Sequence, residues 1–447
     1  MTALPKELNY AAGALASLPG GTNSIDMVVS PANGAVFETD GASIAFDLPS
    51  RGYLQPGSMY LRYKCTVTSA TSKPLMRGVP AYTPFVRSEV LIGSQIVESI
   101  QNYNALVNIL YNTKCDIATK ASLAYSLGLL NYTTAPTFEQ LDGRELKENT
   151  GETWDMAAPL GNLLTNCEHL VPLKHMPGVR IQLTMDALAN MFSPAASTPS
   201  VVSTISLTNL ELCFTVTEFD AATDGVVASM ADASGNIMIK SQSYSTSSQT
   251  IPAGVSGTQE LVYNTRLSSI KSVLCWAAGN GLAASTGSGA TLVNAQRNGI
   301  YDAIDITGGE GEYSWTIAGE QFPPRPLSVV RNKAGIYQEL SDTWSGSAHD
   351  IYGAKMSIIP SEFQASENSV TGAAPGDVGR FLVGMNTERM TDNQALLTGV
   401  SSQLSPVTFR VAIGATATKS SHLITLVTLH DAILNVNIMT RQTTVKI

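Results

Sequence analysis

Residues 207 to 219 read LTNLELCFTVTEF, and residues 431 to 447, at the other end of the chain, read DAILNVNIMTRQTTVKI. In the first stretch Leu210, Leu212, Phe214 and Val216 fall on one side of an extended chain, and Asn209, Glu211, Thr215 and Thr217 fall on the other. That is the period-two pattern of a half-buried β-strand. In the second, Leu434, Val436 and Ile438 keep the same step. Both stretches look like the last strand of a domain, so the chain finishes twice.

The openings match as well. DMVVSPANGAVFETDGASIAFDLPSRGYLQPGSMYLRYKCTV (26 to 67) gives a strand, a turn region and further strands, and IMIKSQSYSTSSQTIPAGVSGTQELVYNTRLSSIKSVLCWAA (237 to 278) follows the same plan a little over 200 residues later. In MYLRYKCTVTS the residues Met59, Leu61, Tyr63, Cys65 and Val67 alternate with Tyr60, Arg62, Lys64, Thr66 and Thr68, just after the turn signal LQPGS. Further strands are expected in SIAFDLP, SEVLIGSQIV, VRIQLTM, HLITLVTL and PVTFRVAIGATAT, where Val407, Phe409, Val411 and Ile413 share a face. QNYNALVNILYN places Tyr103, Leu106, Val107 and Leu110 at helical spacing, and a second helix is expected in DIATKASLAYSLGLL.

Many short antiparallel strands separated by turn signals indicate a sandwich or barrel, and eight-stranded jelly rolls build a domain of this size from such strands. The expected fold is therefore all-β with short inserted helices, as two consecutive eight-stranded jelly-roll β-sandwiches. The expected divisions are an N-terminal arm (1–24), a first jelly roll (25–219), a linker (220–236) and a second jelly roll (237–447). A polar connection at 131 to 168, which contains the sequon at Asn131, and the stretches 277 to 297 and 367 to 380 read as surface loops.

Of 447 residues, 44% are apolar and only 14% charged, against roughly 25% charged in typical soluble domains. Ser, Thr, Asn, Gln and Gly must then cover much of the surface, and such a surface is easily buried against other subunits because few ions lose their water. Net charge is −9 and no Lys/Arg block occurs, which argues against direct, sequence-specific nucleic-acid binding. No basic start with an apolar run marks a secretory signal, and no apolar run is long enough to span a bilayer. Cys65, Cys115, Cys167, Cys213 and Cys275 are scattered without a CxxC pair and read as buried free thiols.

His169, His175, His349, His422 and His430 lack metal spacing. His430 and Asp431, adjacent before the final strand, suit a turn or capping pair better than a catalytic dyad. TGSGAT (286 to 291) lacks the lysine of a phosphate-binding loop and reads as a flexible loop. Glu310 and Glu312 in GGEGEYSW would share a strand face at roughly 6–7 Å, which a glycosidase pair permits, but the Gly-rich setting favours an exposed turn. The expectation is no enzyme, with no catalytic, cofactor or metal site.

GEQFPPRPLSVVRNKAGIYQELSDTWSG (319 to 346) carries a resemblance through Phe322, Pro323, Pro326, Tyr337, Glu339 and Leu340: an aromatic, prolines, then a Tyr-x-Glu-Leu helix start. FLVGMNTERMTDNQALLTGVSSQL (381 to 404), with its Asn-x-Glu and Thr-Gly-Val, and HLVPLKHMPGVRIQLTM (169 to 185) add to it. The sequence resembles double-jelly-roll major capsid proteins of DNA viruses, of the polinton-like virus and virophage type, related to adenovirus hexon and phycodnavirus capsid proteins. The resemblance implies a homotrimer forming a pseudo-hexagonal capsomer that tiles an icosahedral shell in the virion. Neighbouring capsomers, penton and minor capsid proteins would be its partners, with an internal membrane beneath in some members. Loops 131–168, 277–297 and 367–380 would then face outward.

By the same resemblance, the arm before residue 24 would lie under the capsomer. Deleting residues 2–20 is expected to leave trimers intact, measured by mass in solution, while impairing shell assembly, counted by electron microscopy. Dissociation into monomers would contradict the assignment. Rival readings are another viral surface protein, penton or spike, and a carbohydrate-binding or carbohydrate-hydrolysing β-sandwich using Glu310, Glu312, Trp315 or Trp344.

Overall fold

A computed structural model describes residues 22–69, 75–76, 78–115, 117–129, 144–145, 151–193, 202–229, 231–252, 255–280, 311–328, 332–343, 382–388, 397–413 and 421–447. Eight principal strands occupy the first half: β1 (Asn23–Val29), β2 (Ser43–Leu48), β3 (Tyr60–Ser69), β4 (Phe85–Ile92), β5 (Gln95–Gln101), β6 (Gly151–Pro159), β7 (Val179–Met185) and β8 (Val202–Glu218). Eight more occupy the second: β9 (Asn236–Ile251), β10 (Gly257–Tyr263), β11 (Ile270–Asn280), β12 (Glu312–Ile317), β13 (Glu320–Ser328), β14 (Leu382–Asn386), β15 (Val407–Ile413) and β16 (Ser421–Asn437).

The sheet orders are β1-β8-β3-β6 and β2-β7-β4-β5 in the first half, and β9-β16-β11-β14 and β10-β15-β12-β13 in the second, all antiparallel. Counted from the start of each half, both halves read 1-8-3-6 and 2-7-4-5. Two four-stranded sheets with these long crossings form a jelly roll, so the chain is a double jelly roll.

Alternation explains which face each strand buries. Met59, Leu61, Tyr63, Cys65 and Val67 are all buried while Tyr60, Arg62, Lys64 and Thr68 are exposed. In the second roll the buried face of Val407, Phe409, Val411 and Ile413 continues into Tyr313 and Trp315 on the neighbouring strand of the same sheet, with Trp315 and Phe409 ring centroids 5.4 Å apart. Aromatic rings of this size bury large apolar areas and dominate core energetics.

Several local expectations change. Residues 151–159, read as part of a polar connection, are the core strand β6, and the buried Leu160–Cys167 follows it. Trp154, Met156 and Ala158 do alternate inward, but Gly151, Glu152 and Pro159 hide the pattern. Residues 277–280 likewise finish β11. The remainder of 277–297, residues 131–143, 146–150 and all of 367–380 lie outside the described residues. SEVLIGSQIV is a hairpin of β4 and β5 and not one strand. HLITLVTL and the ILNVN of ILNVNIM are parts of the single strand β16, which ends before Ile438.

Helix α1 (Tyr103–Lys114) buries its polar positions as well as its apolar stripe, with the Asn104 amide donating to Asp186 at 2.7 Å. Helix α2 (Ile117–Leu123) follows it. Residues 221–229 form helix α3 (Ala221–Ser229), entered through Asp220, whose carboxylate accepts from the Thr223 N–H at 2.8 Å. Tyr337 falls in the middle of helix α4 (Lys333–Asp342) and Glu339 and Leu340 in its second half, not at its start.

Candidate functional site

His430 and Asp431 do not form a turn: both are buried inside β16. A backbone carbonyl can only accept, so the His430 Nδ1–H donates to the Asp431 carbonyl at 3.2 Å. Burial lowers the His430 pKa to about 4, which keeps the ring neutral near pH 7. The Asp431 carboxylate takes other partners. It accepts from Ser269 Oγ at 2.6 Å and from the Thr398 N–H at 2.9 Å, with Lys271 Nζ at 3.9 Å.

Lys271 sits at a bulge of β11, between the residues paired with His430 and Leu429, which turns its ammonium toward Glu388 at 3.1 Å. Thr398 Oγ1 donates to Glu388 at 2.7 Å, the Gly399 N–H donates to Ser269 Oγ at 2.8 Å, and Val400 exchanges two backbone bonds with Ile270. A Cβ on Gly399 would lie 2.1 Å from the Ile270 carbonyl oxygen, so only glycine permits this approach. Gly384 of β14 likewise makes room for Leu340 and for Thr343, the residue after α4.

The Asn-x-Glu and Thr-Gly-Val motifs are thus two sides of one buried knot, which ties the β14 end and the 398–402 segment to β11 and β16. Its carboxylates are enclosed: one oxygen of each is hydrogen-bonded, and the other, Glu388 Oε2 and Asp431 Oδ1, is buried without a hydrogen-bond partner among the described residues. Asp431 Oδ1 is left to the Lys271 ammonium.

The carbohydrate reading fares no better among the described residues. Trp315 is 1% exposed and packs in the core, where it cannot offer a face to a sugar. Glu312 is exposed at the start of β12, while Glu310, Trp344, His349 and the 286–291 loop lie outside the described residues. A cavity of about 620 Å³ opens on the outer face of the first sheet. Its charged walls are already paired: Arg62 with Glu211 at 2.5 Å and Lys64 with Asp155 at 3.8 Å. The five cysteines are free and buried, and burial pushes Cys167 and Cys275 up to about 12, so their thiols stay protonated. No group of three or more His, Cys, Asp or Glu suited to a metal occurs among the described residues.

Among the described residues a row of polar contacts joins the two rolls, which sequence reading missed because its residues are far apart in the chain. Strand β9 is an edge strand of the second roll, and the first roll's 163–168 segment runs along it. The Glu168 N–H donates to the Lys240 carbonyl at 3.0 Å, the Asn166 amide to the Gln242 carbonyl at 3.1 Å, and Ser241 Oγ to the Leu163 carbonyl at 2.5 Å. Farther along, Thr246 Oγ1 donates to the Gln101 carbonyl at 2.5 Å and the Asn102 amide to Ser248 Oγ at 3.2 Å.

At its centre the buried Glu98 carboxyl accepts from Ser243 Oγ and from the Leu163 N–H at 2.9 Å. Burial raises its pKa from the ordinary 4.5 to about 7, against the opposing pull of those two hydrogen bonds. The joint is a contact of sheet edges and polar side chains.

No protein-family model matches the sequence, and no curated protein matches it. Solved structures do resemble the fold. The Faustovirus major capsid protein superimposes with a TM-score of 0.61 at 8% identity, covering 94% of this chain and 92% of that one. A chain of the Sputnik virophage structure gives 0.55 at 12% identity, covering 100% and 93%. The mavirus major capsid protein gives 0.52 at 10% identity, covering 100% and 95%.

Proposed function

We propose that this chain is a viral major capsid protein: a structural protein, not an enzyme, that assembles as a homotrimer into pseudo-hexagonal capsomers tiling an icosahedral shell. The observation that carries the reading is the identical 1-8-3-6 and 2-7-4-5 strand order of two consecutive rolls in one chain. Three such chains place six similar sandwiches in a ring, which fits a hexagonal lattice position. The nearly full-length likeness to major capsid proteins from Faustovirus and mavirus supports it, as does a surface low in charge.

In this reading residues 1–24 are the arm, 25–219 and 237–447 the two rolls, and 220–236 the connection between them. Neighbouring capsomers, pentons and minor capsid proteins are the partners, and the virion is the location. The test is the mass of the purified chain in solution together with negative-stain images. The expected result is a particle near three times 47.3 kDa with a hexagonal outline. A chain that stays monomeric at every concentration, or that forms pentamers, would overturn the proposal.

A further inference from the structure

The two rolls can be aligned by hydrogen bonds alone. In the first, the Leu160 N–H donates to the Met59 carbonyl at 3.1 Å, just before β3; in the second, the Val400 N–H donates to the Ile270 carbonyl at 2.9 Å, at the start of β11. Leu160 therefore corresponds to Val400, and Met59 to Ile270. Tyr60 lies opposite Cys213, which puts Met59 beside Phe214, whose partner on β1 is Met27. Ile270 lies opposite His430, whose partner on β9 is Ser243. It follows that Ser24–Met27 of β1 occupy the stations of Lys240–Ser243 on β9. Leu404, four residues past Val400, occupies the station of Leu164.

Within the chain one contact between these stations is complete: the 163–168 segment covers β9 at Lys240–Gln242. Its counterparts are bare. Leu164 is 0% exposed, whereas Leu404 is 99% exposed. Lys240, Ser241 and Ser243 are buried, whereas their counterparts Ser24, Ile25 and Met27 are exposed, half-buried and half-buried. Among the described residues nothing pairs with the outer side of β1, which leaves a row of free N–H and C=O groups. Each chain thus carries one finished copy of this contact and the two unfinished halves of another, one half on each roll.

We infer that residues 401–406 of one copy dock on the β1 edge of the next copy, at the stations where the 163–168 segment meets β9 inside the chain. The occupant of the β1 edge is a second copy of this chain. Leu404 covers the half-buried Ile25 and Met27, an apolar contact: Ile25 stands at the station of Ser241 and Pro406 at that of Asn166, and the Gln403 carbonyl already accepts from Arg266 at 2.9 Å. Such a contact is head-to-tail, and a head-to-tail contact either closes into a ring or runs on as a filament. The inference rests on the capsomer reading and adds to it which surfaces close the ring.

Two variants of the full chain test it. L404D replaces a side chain wholly in solvent and should leave the far-ultraviolet dichroism of the monomer unchanged. It should raise the concentration at which trimers dissociate at least tenfold, and Leu404→Met should restore the original value. The pair Asp26→Cys with Leu404→Cys should give covalent dimers and trimers on a denaturing gel after mild oxidation, while each single variant stays monomeric on that gel. The native thiols are all buried and add little background. Unchanged trimer stability in L404D with no cross-link in the pair overturns this contact and leaves the capsomer reading standing. A wild-type chain that never associates overturns both.

Discussion

Lys271→Met lowers the stability of the second jelly roll by about 3–5 kcal/mol, the loss seen when one partner of a buried ion pair is removed. The wild-type knot holds one ammonium between two carboxylates, Glu388 at 3.1 Å and Asp431 at 3.9 Å, and all three side chains are nearly or wholly out of solvent. Methionine keeps the apolar stem and removes the cation, which leaves two buried negative charges facing each other. The ion pair by itself is a weak source of stability, because burying its charges costs about as much as their attraction returns. Breaking it is expensive for the same reason.

Chemical denaturation of the variant, followed by tryptophan fluorescence, measures the effect. Two controls separate charge from packing. Adding Glu388→Gln to Lys271→Met removes one of the stranded charges and should recover part of the loss. Lys64→Met breaks the half-exposed pair with Asp155 and should cost less than about 1 kcal/mol, as surface pairs do. If Lys271→Met proves as mild as Lys64→Met, the knot is not what fastens the 398–402 segment to β11 and β16.

The knot also shows where sequence reading succeeds and where it stops. The Asn-x-Glu and Thr-Gly-Val motifs were visible as strings, but nothing local says that Glu388, Thr398 and Asp431 converge on one lysine. That convergence depends on a one-residue bulge at Lys271, and bulges leave no periodic trace. Strands with one wet face were legible throughout, since Met59 to Val67 and Val407 to Ile413 alternate cleanly. Strands covered on both faces were not. In β16 every residue from Ile424 to Leu434 is buried, so His430 and Asp431 looked like a break between two strands. Strand β6 was hidden differently, by glycine, glutamate and proline at its ends, and α3 by a short helix that buries no residue. The doubled fold was legible because it rests on repetition over the whole chain. The joint between the rolls was not, because Glu98, Leu163 and Ser243 meet only in three dimensions.

That joint makes the stability of the chain depend on pH through Glu98. Its carboxyl is buried between the rolls, and its pKa in the folded chain stands at about 7, against 4.5 for an ordinary glutamate. Between those values the folded state holds a proton that the unfolded state has released, so stability falls as pH rises. The contribution is fully present below about 4.5 and is lost as pH climbs through about 7. A displacement of this size corresponds to about 3 kcal/mol. The observable is the difference between wild type and Glu98→Gln, because other carboxylates titrate over the same range and cancel in it. Glutamine is uncharged at every pH; its carbonyl oxygen can accept from the Leu163 N–H while its amide donates to Ser243 Oγ, as a protonated Glu98 would. The variant should therefore match the wild type near pH 4.5 and exceed it by about 3 kcal/mol at pH 8. A difference that stays constant from pH 4.5 to 8 would show that Glu98 does not titrate with folding. The dependence belongs to the joint inside the chain alone, since the station of Ser243 on β1 is held by Met27, which has no hydroxyl to give a carboxyl. Association between copies, followed by the trimer dissociation concentration, should accordingly shift far less over this pH range than unfolding does.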